Sequence, residues 1–152
     1  MLRRDGLLLM QPQRATGADW PAVRDLLVRV NLPLDGAEAA FQTGLVAVED
    51  DRVVGCAAIE TYERTALLRS VAVTPQRQGS GVGASLVHAA EELARTIGAN
   101  EIILLTETAE PWFGRLGYER MERNAAPTDV AGSVEFVTAC SESAVAMRRS
   151  LK

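Results

Sequence analysis

A glycine-rich segment in the middle of the chain joins a strand-like apolar run to the start of a helix. It reads Val71-Ala72-Val73-Thr74-Pro75-Gln76-Arg77-Gln78-Gly79-Ser80-Gly81-Val82-Gly83, with glycine at three alternate positions. Glycine permits positive φ angles and a close approach of the main chain to a ligand. The first amides of a helix have no intrahelical acceptor and carry the positive end of its dipole. This segment therefore predicts an anion site, most naturally for a pyrophosphate.

The glycine spacing discriminates between phosphate-binding loops. GxGxG differs from the GxGxxG of dinucleotide-binding folds, and no Gly-Lys-Ser/Thr follows to form a P-loop. A Rossmann fingerprint also follows the first strand of its fold, whereas three or four strands are predicted before this segment. An NAD-binding domain is therefore disfavoured.

Two charged residues lie within or at the end of apolar runs that precede this segment. Glu60 follows one run and is either a general base or a solvated carboxylate. Arg69 interrupts the next run, and a buried guanidinium needs an anionic partner, either a substrate carboxylate or an internal acid such as Glu60. Tyr62 is near Glu60 in sequence, and Ser70 is either a substrate contact or a packed hydroxyl.

Hydrophobic periodicity alternates between the helical and the strand period along the chain, which predicts an α/β fold. Strands are expected at residues 10–15, 45–48, 53–59, 66–73, 101–106, from 118 onward, and 144–147. Helices are expected at residues 23–30, 37–41, 81–97, 109–116 and 127–137. The three strands before the glycine-rich segment predict an antiparallel meander, and the helix after it predicts a right-handed crossover to a parallel strand.

Composition restricts the class of protein. The 152 residues are 47% hydrophobic and 24% charged, as in globular domains, which predicts one domain over residues 1–152. The net charge of −4 argues against a nucleic-acid partner. The apolar runs are too short for a membrane span or a signal peptide, so we expect a cytoplasmic protein without a membrane partner. No metal motif is present, and His88 is expected at the surface.

Cysteine usage agrees with a reducing compartment. Cys56 and Cys140 are far apart in the sequence and form no CxxC motif. We expect both to be buried, reduced thiols.

The segment from Leu68 to Gly83 resembles the acyl-CoA-binding motif of the Gcn5-related N-acetyltransferase (GNAT) superfamily, Gln/Arg-x-x-Gly-x-Gly/Ala. Gln76, Gly79 and Gly81 fill the motif positions. The stretch at 109–118 is similar to the family's Ala-x-x-x-Tyr-x-x-x-Gly-Phe ending, so the resemblance covers most of the chain. It implies a mixed, mostly antiparallel sheet with a splayed central pair of parallel strands and helices on both faces.

Within the superfamily, residues 106–113 and 67–70, with Glu135-Phe136 and Ala139-Cys140, are similar to the arsenic-resistance N-acetyltransferases. They are more remotely similar to N-acetylglutamate synthase. This resemblance implies an amino-acid-like acceptor.

The resemblance implies acetyl-CoA as cosubstrate and assigns roles to the cleft residues. Backbone groups of Val71 and Val73, on either side of Ala72, would bond the pantetheine amides, and the Val71 N–H would stabilise the oxyanion. Thr106 would face the cofactor arm. The pyrophosphate would rest on the amides of Gln78, Gly79, Ser80, Gly81, Val82 and Gly83.

Two positions depart from the family pattern. Phe113 replaces the tyrosine that usually protonates the leaving thiolate, and a phenyl ring has no proton to donate. Leu67 stands where some relatives have a catalytic glutamate. Glu60 is therefore the predicted base, acting directly or through a water, and another acid or water must protonate the thiolate.

The predicted activity is transfer of an acetyl group from acetyl-CoA to the primary amine of an amino acid or an amino-acid-like toxin. Such a toxin would resemble glutamate, and arsenic-containing toxins are included. The amine would attack directly in a ternary complex. Predicted substrate contacts are Arg69, Ser70, Tyr62 and Thr106, and a homodimer is left open. The alternative is a non-catalytic acyl-CoA-binding sensor or interaction module, which the missing tyrosine and glutamate favour.

Overall fold

The computed structural model describes residues 11–139 and 142–152, so Cys140 and the first residue of the strand predicted at 10–15 lie outside the described part. A seven-stranded sheet has the order β1-β2-β3-β4-β5-β7-β6. The strands are β1 Gln13–Arg14, β2 Gly44–Glu49, β3 Arg52–Tyr62, β4 Thr65–Val73, β5 Glu101–Thr106, β6 Glu119–Met121 and β7 Val145–Ser150. The helices are α1 Trp20–Arg29, α2 Ala37–Ala40, α3 Val82–Ile97, α4 Glu110–Arg115 and α5 Thr128–Ala131, followed by a π-helical turn at Glu135–Ala139.

The strand pairing confirms the predicted mixed fold. β2, β3 and β4 form an antiparallel meander, and α3 connects β4 to the parallel strand β5. β7 then pairs antiparallel with both β5 and β6. The parallel pair therefore lies inside an otherwise antiparallel sheet.

Helices cover both faces of the sheet because the strands alternate their apolar side chains. Leu45 and Ala47 on β2 point into the core beneath α3, and Val46 between them points into the core beneath α1 and α2. Gly98 ends α3 with φ of 111°, a left-handed conformation that glycine adopts without strain. Because α3 packs against one face of the sheet, the bend that precedes it is held at that face.

One predicted helix was wrong. The stretch at 127–137 forms the four-residue α5 and then, after Gly132 and Ser133, the π-helical turn. Ser133 explains the break, because its hydroxyl donates to the Val130 carbonyl at 2.6 Å and accepts the Phe136 N–H at 3.3 Å. Local side-chain bonds of this kind compete with the helical ladder. The break places the π-helical turn beside the centre of the sheet.

Cys56 is expected to be chemically inert in the folded protein. It is buried on β3, its thiol donates to the Ser70 carbonyl at 3.4 Å, and burial raises its pKa to about 12. A thiol ionises only above its pKa, so at pH 8 the thiolate fraction is roughly a thousandfold below that of a free cysteine. We expect a Cys140→Ser variant to resist a thiol-specific chromophoric reagent while native and to react with one equivalent after unfolding. Rapid labelling of the native variant would contradict this burial.

Candidate active site

β4 and β5 separate after a short paired stretch. Their register covers only Thr65↔Glu101, Ala66↔Ile102 and Leu67↔Ile103, although β4 continues to Val73 and β5 to Thr106. Beyond Leu67 the strands open into a cleft of about 820 Å³ that both of them line. Main-chain groups of β4 that point into this gap have no strand opposite them and are available to an extended ligand. The splayed parallel pair is confirmed.

A β-bulge at Ser70 bends β4 where the cleft opens. Ser70 and Val71 together oppose the single residue Ala57 of β3, and Ser70 has φ of 58°. Leu68 and Val71 consequently pack toward the same core beneath α3, although simple alternation would place them on opposite faces. The bulge therefore decides which side chains of β4 face the cleft.

The glycine-rich bend presents free main-chain donors. Gly79 and Gly81 have φ of 82° and 91°, and Gly81 is the N-cap of the sixteen-residue α3. A Cβ built on either residue meets nothing within 4 Å, so the space above the bend is open. Within residues 11–139 and 142–152, no acceptor is found for the N–H groups of Gly79, Gly81, Val82 and Gly83. Four such donors at the positive end of a helix suit a pyrophosphate.

Two of the six amides predicted to bind pyrophosphate are used within the bend itself. The Gln78 N–H donates to the Pro75 carbonyl at 3.4 Å, and the Ser80 N–H donates to the Arg77 carbonyl at 3.3 Å. Ser80 and Val82 are also absent from the lining of the cleft, and the Val82 side chain is buried in the core. Gln78 and Ser80 therefore use their amides within the turn, which the glycine pattern does not specify, and their contact with a pyrophosphate stays a prediction.

Gly83 also has a packing role. A Cβ at this position would lie 3.1 Å from the ring of Trp112 on α4. Trp112 lines the cleft and packs edge-to-face on Phe113, with ring centroids 4.8 Å apart. Glycine at 83 thus lets α4 pack against the first turn of α3 and form one wall of the cleft.

Phe113 and Thr106 are two further predicted site residues. Both line the cleft, and the Thr106 hydroxyl accepts the Ala109 N–H at 3.0 Å. Tyr118, the tyrosine packed against Phe113, does not line the cleft, and its hydroxyl donates to buried Glu91 at 2.8 Å. Burial and the nearby Glu91 carboxylate raise the pKa of Tyr118 well above its usual value. Tyr118 therefore does not replace the missing acid.

Arg69 is held by protein groups on several sides near the narrow end of the cleft. It is 2% exposed. Its Nη1 donates to Glu60 Oε2 at 3.1 Å, its Nη2 to the Asp35 carbonyl at 2.6 Å, and its Nε to Ser70 Oγ at 3.2 Å. Glu135 Oε1 lies 3.6 Å from Nη2. The internal ion pair, one of the two interpretations of this guanidinium, is confirmed, and its role as an anchor for a substrate carboxylate stays a prediction.

Glu60 and Tyr62 are set apart from the cleft surface. Arg69 lines the cleft, whereas Glu60 and Tyr62 do not. The Glu60 side chain is 18% exposed and accepts hydrogen bonds from both Arg69 and the Tyr62 hydroxyl, so the interpretation as a solvated carboxylate is wrong. Burial, reinforced by Glu60, raises the pKa of Tyr62 and keeps it protonated. Glu60 as a base, and Tyr62 as a substrate contact, stay predictions.

A carboxylate that the sequence did not assign to the site lines the cleft. Glu135, the first residue of the π-helical turn, is 5% exposed and borders the cleft beside Arg69. In the sequence it contributes only to a subfamily resemblance. The available signal was an acidic residue between apolar Val134 and Phe136, but its proximity to Arg69 depends on the tertiary fold.

The remaining predicted positions lie outside the cleft. His88 is exposed on α3, 3.3 Å from Glu91, which confirms its surface position. Across the described ranges, no three histidine, cysteine or acidic side chains lie together in a way that would hold a metal ion. Nor is any helix of these ranges both long and apolar enough to cross a membrane.

Comparison with known proteins identifies relatives of this fold and cleft. Residues 41–120 match the acetyltransferase (GNAT) domain. An uncharacterised N-acetyltransferase of Chlorobaculum tepidum is 35% identical over 86 residues, which cover 56% of this chain and 55% of that protein. An amino-acid acetyltransferase of Ralstonia nicotianae is 30% identical over 123 residues, which cover 80% of this chain and 25% of that protein. The chain thus matches about half the length of the first relative and a quarter of the second.

Solved structures share the fold. N-acetylglutamate synthase from Neisseria gonorrhoeae, complexed with coenzyme A and N-acetyl-glutamate, aligns with a TM-score of 0.81 at 21% identity, covering 93% of this chain and 35% of that chain. A Mycobacterium tuberculosis protein in complex with CoA and NLQ aligns with a TM-score of 0.78 at 25% identity, covering 93% and 99%.

The matched family domain spans more than half of the chain and contains the elements that build the cleft. Residues 41–120 include the meander, the glycine-rich bend, α3, β5 and α4. The family match, the splayed strands and the unpaired amides of the bend agree, and this chain belongs to the GNAT acetyltransferase family.

Proposed function

We propose that this chain transfers an acetyl group from acetyl-CoA to the primary amine of an amino acid or an amino-acid-like molecule, and that residues 1–152 form one acetyltransferase domain. Acetyl-CoA is the cosubstrate of the family. Relatives named amino-acid acetyltransferases, from Ralstonia nicotianae and Mycobacterium tuberculosis, support an amino acid as the acceptor.

The observation that carries the proposal is that the free amides of the glycine-rich bend lie next to the open edge of β4. The pyrophosphate would rest on the N–H groups of Gly79, Gly81, Val82 and Gly83, and the pantetheine arm would extend into the gap along β4. A strand advances about 3.3 Å per residue, so the arm reaches the bulge within roughly 10 Å of the end of β4. The thioester would then lie near Val71, whose N–H we assign to the oxyanion.

The chemistry needs few specialised side chains. Acetyl transfer needs a deprotonated amine about 3 to 3.5 Å from the thioester carbonyl, a donor for the oxyanion and a proton for the departing thiolate. Phe113 has no hydroxyl, so the proton comes from water or from the acceptor's own ammonium group. Direct attack in a ternary complex requires no covalent enzyme intermediate, in keeping with the burial of Cys56 away from the cleft.

We extend the proposed acceptor to glutamate-like molecules, including arsenic-containing toxins, on the resemblance of residues 106–113 to the arsenic-resistance enzymes. Of the proposed substrate contacts, Arg69, Ser70 and Thr106 line the cleft. Tyr62 would act on a substrate only through Glu60 and Arg69.

A second candidate is a module that binds acyl-CoA without catalysis. Two observations favour it: Phe113 replaces the usual acid, and Leu67 is fully buried where some relatives carry a catalytic glutamate. This candidate shares the acetyl-CoA site with the enzyme and differs in having no acceptor amine.

A thiol-release assay separates the two candidates. We expect free CoA and an N-acetylated product in equal amounts when acetyl-CoA is supplied with a panel of amino acids that includes glutamate. Initial rates with both substrates varied should give intersecting reciprocal plots, as a ternary complex requires. Calorimetric binding of acetyl-CoA without thiol release from any amine would instead support the binding module.

A further inference from the structure

Among the described residues that line the cleft, one acidic side chain is buried. Glu107 and Glu135 are the acidic residues among those that line it. Glu107 is exposed in the loop after β5, whereas Glu135 is 5% exposed and lies against Arg69. A carboxylate is kept in so buried a position only with charged or hydrogen-bonding partners, and Arg69 is one of these.

Glu135 lies at the end of the cleft opposite the glycine-rich bend. Its partner Arg69 is two residues beyond Leu67, the last residue at which β4 pairs with β5. The bend and its amides follow Val73 at the other end of the opening. An acetyl-CoA with its pyrophosphate at the bend and its arm along β4 directs the thioester toward Arg69. Glu135 therefore borders the region in which the acetyl group and the acceptor meet.

The charges at this end favour a cation. Arg69 contributes one positive charge, and Glu60 and Glu135 contribute two negative charges, so the three side chains sum to −1. Much of the guanidinium already donates to Glu60, Asp35 and Ser70. An ammonium group is attracted to such a site, and an isolated carboxylate is repelled.

We propose that Glu135 binds the ammonium group of the acceptor and takes its proton, which makes it a catalytic residue of the transferase. This inference rests on the proposed function and replaces Glu60 as the base, because Glu135 lines the cleft and Glu60 does not. Arg69 acts as a positioning residue that holds the Glu135 carboxylate.

The proton and bond changes balance as follows. The ammonium group gives one proton to the Glu135 carboxylate, and the neutral nitrogen attacks the thioester carbonyl carbon. The new C–N bond forms, and collapse of the oxyanion breaks the C–S bond and releases the CoA thiolate. The nitrogen then loses its second proton to water. The thiolate takes a proton from water, and Glu135 returns its proton to solvent.

The experiment compares Glu135→Gln with Glu60→Gln across pH 6 to 9.5 with the amino acid that reacts fastest in the assay above. A base contributes about 10²-fold or more, so Glu135→Gln should lower kcat/KM at least about 100-fold at pH 7. The loss should shrink as the pH approaches the pKa of the acceptor amine, because solvent then supplies deprotonated amine. Acetyl-CoA affinity by calorimetry should stay within about threefold of the unmodified protein.

Glu60→Gln is the matched control because it removes the other carboxylate of the same arginine. Because Glu60 is itself the base predicted from the sequence, this variant decides between the two carboxylates. With Glu135 as the base, Glu60→Gln keeps the shape of the unmodified pH profile, whereas a loss that shrinks with rising pH in Glu60→Gln alone overturns the proposal. The Tyr62 hydroxyl, which donates to Glu60, and the Asp35 carbonyl, which accepts from Arg69, are unchanged in both variants.

Either of two results would overturn the role of Glu135 while the proposed function stands. One is a Glu135→Gln protein with unaltered rate and pH profile. The other is an equal, pH-independent loss in both variants, which would mean that Glu135 only neutralises Arg69. If Glu135→Gln does not fold, Glu135→Asp is measured, in which the carboxylate is one methylene further from the acceptor. A loss of kcat/KM that shrinks as the pH rises supports the proposal, and an unaltered rate or a pH-independent loss overturns it. An unmodified protein that acetylates no amine overturns the proposed function and this inference together.

Discussion

A Gly81→Asp variant should lose at least about 100-fold in acetyl-CoA affinity, equivalent to roughly 2.7 kcal/mol. Gly81 has φ of 91° and caps α3, beside the free amides of the bend. An aspartate would add a carboxylate to the space that we propose for the pyrophosphate. It would repel that anion and would offset the positive end of the helix dipole that attracts it. Isothermal titration calorimetry with acetyl-CoA measures the loss.

Gly98→Asp is the matched control for backbone strain. Gly98 caps the other end of α3 with φ of 111°, and a Cβ there also meets nothing within 4 Å. Both substitutions therefore force an aspartate into a conformation that favours glycine. We expect Gly98→Asp to lose stability and to bind acetyl-CoA as the unmodified protein does. Equal acetyl-CoA affinity in the two variants would contradict the anion site.

Removal of the Arg69 side chain should destabilise the fold more than any exposed substitution. Arg69→Ala leaves Glu60 and Glu135 without their shared cation in a largely buried place. Breaking a buried pair in this way costs about 3 to 5 kcal/mol, which corresponds to a decrease in Tm of roughly 10 °C for a chain of this size. Thermal and urea unfolding measure it, with Arg24→Ala on the exposed side of α1 as the control.

The loss of folding stability in Arg69→Ala should depend on pH. Without the cation, the folded state disfavours two ionised carboxylates in this largely buried place and favours their protonated forms. The folded variant then binds more protons than the unfolded chain, and its stability increases as the pH falls. The deficit relative to the unmodified protein should be smaller at pH 5 than at pH 8. Unaltered stability with a raised KM for the acceptor alone would instead support Arg69 as an anchor for a substrate carboxylate.

The contacts of Arg69 change how the acceptor site is understood. From the sequence, a buried guanidinium next to a CoA site suggests a receptor for a substrate carboxylate. In the fold, Glu60 and Glu135 already pair with it, and a carboxylate, that of Glu135, lines the cleft beside the guanidinium. In our proposal, the amine of the acceptor, which is the reacting group, is then the part of the substrate that this end of the cleft recognises.

Local patterns in the sequence determined the frame of the site. Glycines at 79 and 81 predicted the positive-φ bend, because few other residues adopt that conformation without strain. Apolar residues spaced three and four positions apart predicted α3, and the short turns between apolar runs predicted the β2–β3–β4 meander. Each of these features depends on neighbours a few residues apart, so the sequence alone carries them.

Only the tertiary structure decided which groups face one another in the cleft. The bulge at Ser70 reverses the alternation of β4, and it arises from the register with β3 rather than from any pattern within the strand. The contact between Arg69 and Glu135 joins residues far apart in the chain, and it forms because the segment after α5 folds into a π-helical turn beside the open end of the strands. Such positions depend on the packing of distant elements, which is why the sequence predicted the glycine-rich bend and only the fold brought Arg69 and Glu135 together.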